Sequence, residues 1–323
     1  MAEAMLEVKG VSKVFKIGSM LSRKKLVAVD NVSFSIPKDN PIILSIVGES
    51  GCGKSTLCKM ILRLHDPDGG DIILDGNSYK NRKAYKPMQF RNDVQPIFQN
   101  PFEAFSMRKT VDTYLFNTAL RLGIAKNKAD ATNRADEALK SVGLSLDVVK
   151  GKYSTQFSGG ELQRVSIARA LITKPKIIIA DEPVAMIDAS MKMNIVNLFK
   201  ELKDKYGISF IYITHDLSTA YYVSDYIATL YRGSLIEYGS SKDIMDNPAH
   251  PYTRLLMDSV PRVGDKWTKD IAMPDMEDKE YSLTCCKFAP RCAYATEECL
   301  RSCPEMQDIG DRKVLCYHPL IQQ

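Results

Sequence analysis

The sequence predicts an α/β fold built on a parallel sheet, and two observations carry that reading. Continuous apolar runs at 42–47, 176–180 and 209–214 read as strands buried on both faces. Each run is followed by apolar residues at helical spacing, and strand alternating with helix is the order of βαβ units.

The chain opens on Leu6–Val11 and Ala28–Ile36, which alternate apolar and polar residues as half-buried strands do. Between them, Lys16–Lys25 is polar and basic and reads as a loop. The run Ile42–Val47 enters a glycine-rich turn. A helix is then expected over Ser55–Leu64, with Leu57, Met60, Ile61 and Leu64 on its apolar face. Residues 100–170 are helical in pattern and hold no comparable strand, so a helical subdomain is expected there. After the strand at 176–180, Ile187, Met191, Ile195, Leu198, Phe199 and Leu202 repeat at helical spacing. After the strand at 209–214, Leu217–Val223 does the same. Residues 262–283 are polar and acidic and read as a linker. The expected division is a main domain over 1–261 and a small extension over 262–323.

Composition supports one large globular domain with an appendage. The 323 residues are 45% apolar and 26% charged, which excludes a mainly disordered chain. The net charge of +5 is too small for a dedicated nucleic-acid binder. No apolar run reaches about 18 residues, so no membrane span is expected. The start lacks the apolar core of a secretion signal, which predicts a cytosolic chain. Six of the eight cysteines (Cys285, Cys286, Cys292, Cys299, Cys303 and Cys316) crowd the last forty residues. Disulfides are rare in the cytosol, so the crowding suggests a metal.

Gly48-Glu-Ser-Gly-Cys-Gly-Lys54-Ser55 fits G-x-x-x-x-G-K-[ST] between a strand and a helix. Backbone N–H groups at Gly48, Ser50, Gly51, Gly53 and Thr56 can cradle phosphates, helped by the field of the helix that follows. Lys54 is expected on the β- and γ-phosphates and the Ser55 hydroxyl on Mg²⁺. Ile177-Ile-Ile-Ala-Asp181-Glu182 puts two acids at a buried strand end, where open α/β sheets meet their ligands. Asp181 is expected to hold Mg²⁺ and Glu182 to polarise the attacking water. Ser158-Gly159-Gly160-Glu161 opens a helix and is a second anion nest. Two such distant nests make sense on one phosphate only if different subunits supply them.

Ser158-Gly-Gly-Glu-Leu-Gln-Arg164 resembles the signature motif of ATP-binding cassette (ABC) proteins, and the other motifs follow in family order. The resemblance implies a phosphate-loop NTPase with a RecA-like core, an N-terminal antiparallel β-subdomain and an inserted α-helical subdomain. It places Phe15 on adenine, Gln99 on Mg²⁺ and the attacking water, Asp188 at the subunit contact and His215 on the γ-phosphate. Two residues depart from the family pattern. Glu161 stands where glutamine is usual, and its charge is expected to repel a triphosphate mildly. Ala185 lacks the usual hydroxyl beside the subunit contact. No catalytic group is missing, so a hydrolysing subunit is expected.

His250-Pro-Tyr-Thr253 and the segment after it resemble the C-terminal part of oligopeptide and dipeptide transporter ATPases. The spacing of Cys286, Cys292, Cys299 and Cys316 is similar to the cluster-binding tail of that subfamily. This implies a [4Fe–4S] cluster, with Zn²⁺ or free thiols as the alternatives. Cys285 and Cys303 match no ligand position. The basic insertion at 16–25 and Phe157-Ser-Gly-Gly resemble the F-type of the two ATPases in such importers. The implied partners are a paralogous D-type ATPase as heterodimer, two transmembrane permeases and, indirectly, an extracytoplasmic binding protein. The implied place is the cytoplasmic face of a prokaryotic plasma membrane. Oligosaccharides and nickel chelates are the alternative cargoes, and a translation or DNA-repair ABC ATPase is the alternative of another class.

Overall fold

The computed structural model describes residues 3–17, 24–81, 85–259, 281 and 283–321. The expected 262–283 linker lies outside the described residues except at 281 and 283, and so does the centre of the expected 16–25 loop. In chain order come β1 (Ala4–Ile17), β2 (Lys24–Pro37), β3 (Ile43–Val47), α1 (Lys54–Ile61), β4 (Gly69–Leu74) and β5 (Asn77–Ser78). Next are α2 (Pro87–Asp93), β6 (Val94–Ile97), α3 (Val111–Arg121), α4 (Lys128–Ser141), α5 (Leu146–Val149) and α6 (Gly159–Leu171). They are followed by β7 (Ile177–Asp181), α7 (Ala189–Tyr206), β8 (Ser209–Ile213), α8 (Leu217–Val223), β9 (Tyr226–Tyr231) and β10 (Ser234–Ser240). The chain closes with α9 (Ser241–Asp246), α10 (Pro251–Asp258), α11 (Glu297–Arg301), β11 (Gln307–Ile309) and β12 (Arg312–Val314).

These elements form two compact units. One comprises 1–3, 36–43 and 77–213, and the other 4–35, 44–76 and 214–323. In the first unit β6, β7 and β8 are parallel, with Ile179 opposite Pro96 on one side and Ile211 on the other. Ile177, Ile178, Ile179 and Ala180 are fully or almost fully buried, as a strand covered on both faces must be. Each buried isoleucine contributes about 1.5–3 kcal/mol. Pro96 cannot donate to a ladder, and β6 accordingly ends its sheet. Helices α3 to α6 fill the span between β6 and β7.

In the second unit β1 lies between β2 and β4 and runs antiparallel to β4. There β3 pairs with β9 in parallel, and β9, β10, β12 and β11 continue antiparallel. The strand ladder thus carries the C-terminal hairpin β11–β12 on β10. Helix α1 stops at Ile61, earlier than its apolar spacing predicts. Arg63 adopts a left-handed φ of 57°, and Leu64 is 60% exposed instead of joining the buried face. Leu57, Met60 and Ile61 are buried as expected.

Candidate functional site

In the second unit β3 delivers the chain into the loop that ends on α1. Gly48 and Gly53 have φ of 148° and 107°. A Cβ at Gly48 would meet the Leu230 carbonyl, and one at Gly53 the Ala28 carbonyl, so both positions require glycine. Lys54 is 7% exposed, and its ammonium donates to the Gly48 carbonyl at 2.7 Å and the Glu49 carbonyl at 2.9 Å. The loop therefore curls around its own lysine. Ser50, Gly51 and Ser55 are exposed at its mouth, and Thr56 is half-buried. Cys52 is buried beside Lys54, and burial pushes its thiol up.

Phe15, near the end of β1, is half-buried. It meets His65 edge-on at 5.8 Å and lies 5.8 Å from the Lys13 ammonium. His215 is exposed between β8 and α8. Its neighbours fix the turn. Asp216 N–H donates to the Thr214 hydroxyl, and the Asp216 carboxylate accepts from the N–H groups of Ser218 and Thr219.

In the first unit Asp181 is the last residue of β7 and is half-buried. Glu182 follows with a left-handed φ of 45°, an uncommon backbone for a residue with a side chain. Its N–H is tied to the Ile213 carbonyl at 2.9 Å, and its carboxylate accepts from the Gln99 amide at 3.0 Å. Strain held by a strand end and met by a polar partner is a feature of functional positions. Gln99 is exposed just after β6.

Ser158 caps α6. Its hydroxyl accepts from Glu161 N–H at 3.3 Å, while the Glu161 carboxylate accepts from Ser158 N–H and hydroxyl, both at 2.9 Å. This is a capping box. The bond from Ser158 N–H, and then that from its hydroxyl, hold the Glu161 carboxyl below the ordinary carboxylate range. Glu161 thus closes the helix start as well as carrying the charge expected of it, and the Ser158-x-x-Glu161 spacing is the signal of that cap. Gly159 lies against the Met186 carbonyl and Gly160 against Met191, so the nest is packed on the segment holding Ala185 and Asp188. Asp188 is exposed at the N-cap of α7 and makes no side-chain capping bond.

Cys286, Cys292, Cys299 and Cys316 line one cavity of about 10 Å³ in the second unit, together with Tyr294 and His318. Burial raises the thiols of Cys286 and Cys292, and it pushes Cys316 up to about 11. Among the described residues no set of three or more His, Cys, Asp or Glu side chains is already gathered to hold a metal. The four-sulfur donor set is chemically suited to a cluster or to Zn²⁺. The cavity offers the room of about one water molecule. Cys285 and Cys303 face a different cavity of about 750 Å³, and the Cys303 thiol donates to the Cys285 carbonyl at 2.8 Å.

His250-Pro-Tyr-Thr253 forms the start of α10. The His250 ring accepts from Tyr252 N–H at 3.0 Å, Pro251 occupies the first turn, and burial lowers His250 to about 3. Buried Glu237 accepts from the N–H groups of Ala249 and His250, and burial raises its carboxyl.

A phosphate loop, a Ser-Gly-Gly helix start and a β7 acid pair in one chain define an ABC ATPase. The chain belongs to the ABC transporter family, whose model matches residues 29–185. A second model, for the oligopeptide/dipeptide transporter C-terminal region, matches 236–299 and so begins within β10. Within the family this chain groups with oligopeptide and dipeptide transport ATP-binding proteins. It is 35% identical to the oligopeptide transport ATP-binding protein AppF of Bacillus subtilis, over 98% of this chain and 97% of that one. It is 32% identical to the dipeptide transport ATP-binding protein DppF of Haemophilus influenzae, over 97% and 96%. A dimeric ATP-binding cassette, MJ0796, in a post-hydrolysis state bound to ADP and Pi aligns with a TM-score of 0.63 at 28% identity. That match covers 73% of this chain and 99% of the other. Among the described residues no helix is long and apolar enough to cross a membrane.

Proposed function

We propose that this chain is the F-type ATPase of a peptide importer, hydrolysing ATP at composite sites shared with a paralogous D-type subunit. The observation that carries the hydrolytic reading is the Gln99–Glu182 hydrogen bond at the end of β7. It leaves one carboxylate oriented by an amide, as a general base for water needs. Lys54, with Gly48, Ser50, Gly51, Gly53 and Thr56, takes the phosphates. Phe15 takes the adenine. Ser55, Asp181 and Gln99 are the groups that would hold Mg²⁺, which neutralises phosphate charge when bound. His215 meets the γ-phosphate. Ser158, Gly159, Gly160 and Glu161, with Asp188, face the nucleotide of the partner.

Loss of the γ-phosphate removes what joins the subunits, and they part. Two permeases turn that opening into alternating access at the cytoplasmic face of the membrane. Phe98, Phe102 and Met107, all exposed after β6, supply apolar surface for a permease contact. Peptide cargo follows from the names of the relatives, and an extracytoplasmic binding protein would deliver it.

The extension beyond about residue 262 reads as a metal centre of Cys286, Cys292, Cys299 and Cys316, with a [4Fe–4S] cluster ahead of zinc. Their convergence on one cavity supports this. Metal loading must displace thiol protons that burial holds in place, and the cavity must widen for a cluster. The role is structural, since ATP hydrolysis moves no electron.

Uptake of labelled short peptides into vesicles holding the whole importer tests the reading. Uptake should require ATP and vanish with Lys54→Ala. ATP-independent uptake, or none with any peptide, contradicts it.

A further inference from the structure

Glu49, the second residue of the phosphate loop, is gripped from the far end of the chain. Its carboxylate accepts two hydrogen bonds from the Arg291 guanidinium, at 3.1 and 3.0 Å. Its N–H donates to the Tyr252 hydroxyl at 3.0 Å. Its carbonyl accepts from Lys54 at 2.9 Å. Two residues on, the Gly51 carbonyl accepts from the Tyr281 hydroxyl at 2.9 Å. Arg291, Tyr252 and Tyr281 each lie more than 200 residues in sequence from the loop residue they hold.

The Arg291 side chain is only 5% exposed, and its guanidinium sits over Tyr231 and Phe288 at 5.8 and 5.9 Å from the ring centres. A paired fork of this kind fixes direction as well as distance, which a lysine cannot do. A loop that binds phosphate through backbone N–H groups loses affinity when it must be ordered at binding. Nothing in the phosphate-loop motif itself requires an acid at position 49, and the five polar contacts above exceed what a loop needs to close.

We propose that Arg291 is a positioning residue for the phosphate loop. Through Glu49 it holds the loop in its phosphate-receiving shape, so nucleotide affinity depends on the C-terminal tail. Arg291 ends the short turn Ala289–Arg291 and adjoins Cys292, so the thiol cavity and the phosphate loop share one support. The inference rests on the nucleotide-binding reading given above.

The test is calorimetric titration of the purified full chain with MgADP, a probe that is not turned over. Arg291→Ala should weaken binding about tenfold, within the range of indirect coupling through packed side chains. Arg291→Lys should recover part of the loss, and Glu49→Gln should match Arg291→Ala. The double variant should be no weaker than either single one, because both remove the same link. Unfolding temperature is followed alongside, and Glu49→Gln keeps side-chain shape should Arg291→Ala fold poorly. Affinities within twofold of the unsubstituted chain, or losses that add in the double variant, overturn the proposal. If the unsubstituted chain binds no MgADP, the nucleotide reading falls and the proposal with it. Retained binding in the unsubstituted chain and loss in Lys54→Ala keep the two failures distinct.

Discussion

The Gln99 side-chain amide donates to the Glu182 carboxylate at 3.0 Å, joining the segment after β6 to the end of β7. Removing the donor takes away the amide that orients this carboxylate. Gln99→Ala should therefore lower kcat for ATP about tenfold to a hundredfold while KM changes little. Steady-state ATP hydrolysis checks this. A raised KM with kcat intact would leave Gln99 only its part in holding Mg²⁺ and deny it the role of orienting Glu182.

Glu161 occupies the N–H and hydroxyl of Ser158, two donors that the partner's γ-phosphate is proposed to need. A glutamine keeps the helix cap and drops the charge. Glu161→Gln should tighten nucleotide-driven association of the subunits by about threefold to tenfold, as the loss of one like charge at partial exposure allows. Light scattering against ATP concentration reads it. Weaker association would show that the carboxylate helps the contact.

His250 is buried and neutral, with its pKa lowered to about 3 by burial. The unfolded chain takes up that proton near pH 6.5, and the folded chain does not. Stability is therefore lost as pH falls from 6.5 towards 3, by about 2 kcal/mol at pH 5 from this group alone. His250→Asn retains a capping side chain without the titration. Its unfolding temperature should drop less between pH 7 and pH 5 than that of the unsubstituted chain. Equal drops would deny His250 this role.

The four-thiol cavity predicts a coloured protein when the chain is purified without oxygen. Visible absorption and iron content should be present, and should fall with Cys292→Ser or Cys316→Ser. A colourless chain carrying one zinc, or no metal, contradicts the cluster.

The parts of the site that depend on consecutive residues were legible in the sequence. The phosphate loop, the acid pair at the end of β7 and the turn at His215 are each written in one short segment beside a buried strand. The strand β6 was not, because Pro96 argues against a strand unless its edge position is known. Helix α1 is shorter than its apolar spacing predicts, because the Leu64 spacing continues after the backbone has turned at Arg63. The grip of Arg291 and Tyr252 on Glu49 had no local signal at all, since only the fold brings those residues together. Glu161 does have one, the Ser158-x-x-Glu161 spacing of a capping box.

Glu182 is the base proposed for ATP hydrolysis by this chain. The most direct measurement of that role is the assembly state and nucleotide content of Glu182→Gln mixed with the D-type subunit and MgATP, beside the unsubstituted chain mixed the same way. The unsubstituted chain should associate and part again as ATP is consumed. The variant should bind ATP and remain a dimer with the nucleotide uncleaved. Cleavage by the variant at the unsubstituted rate would contradict the account.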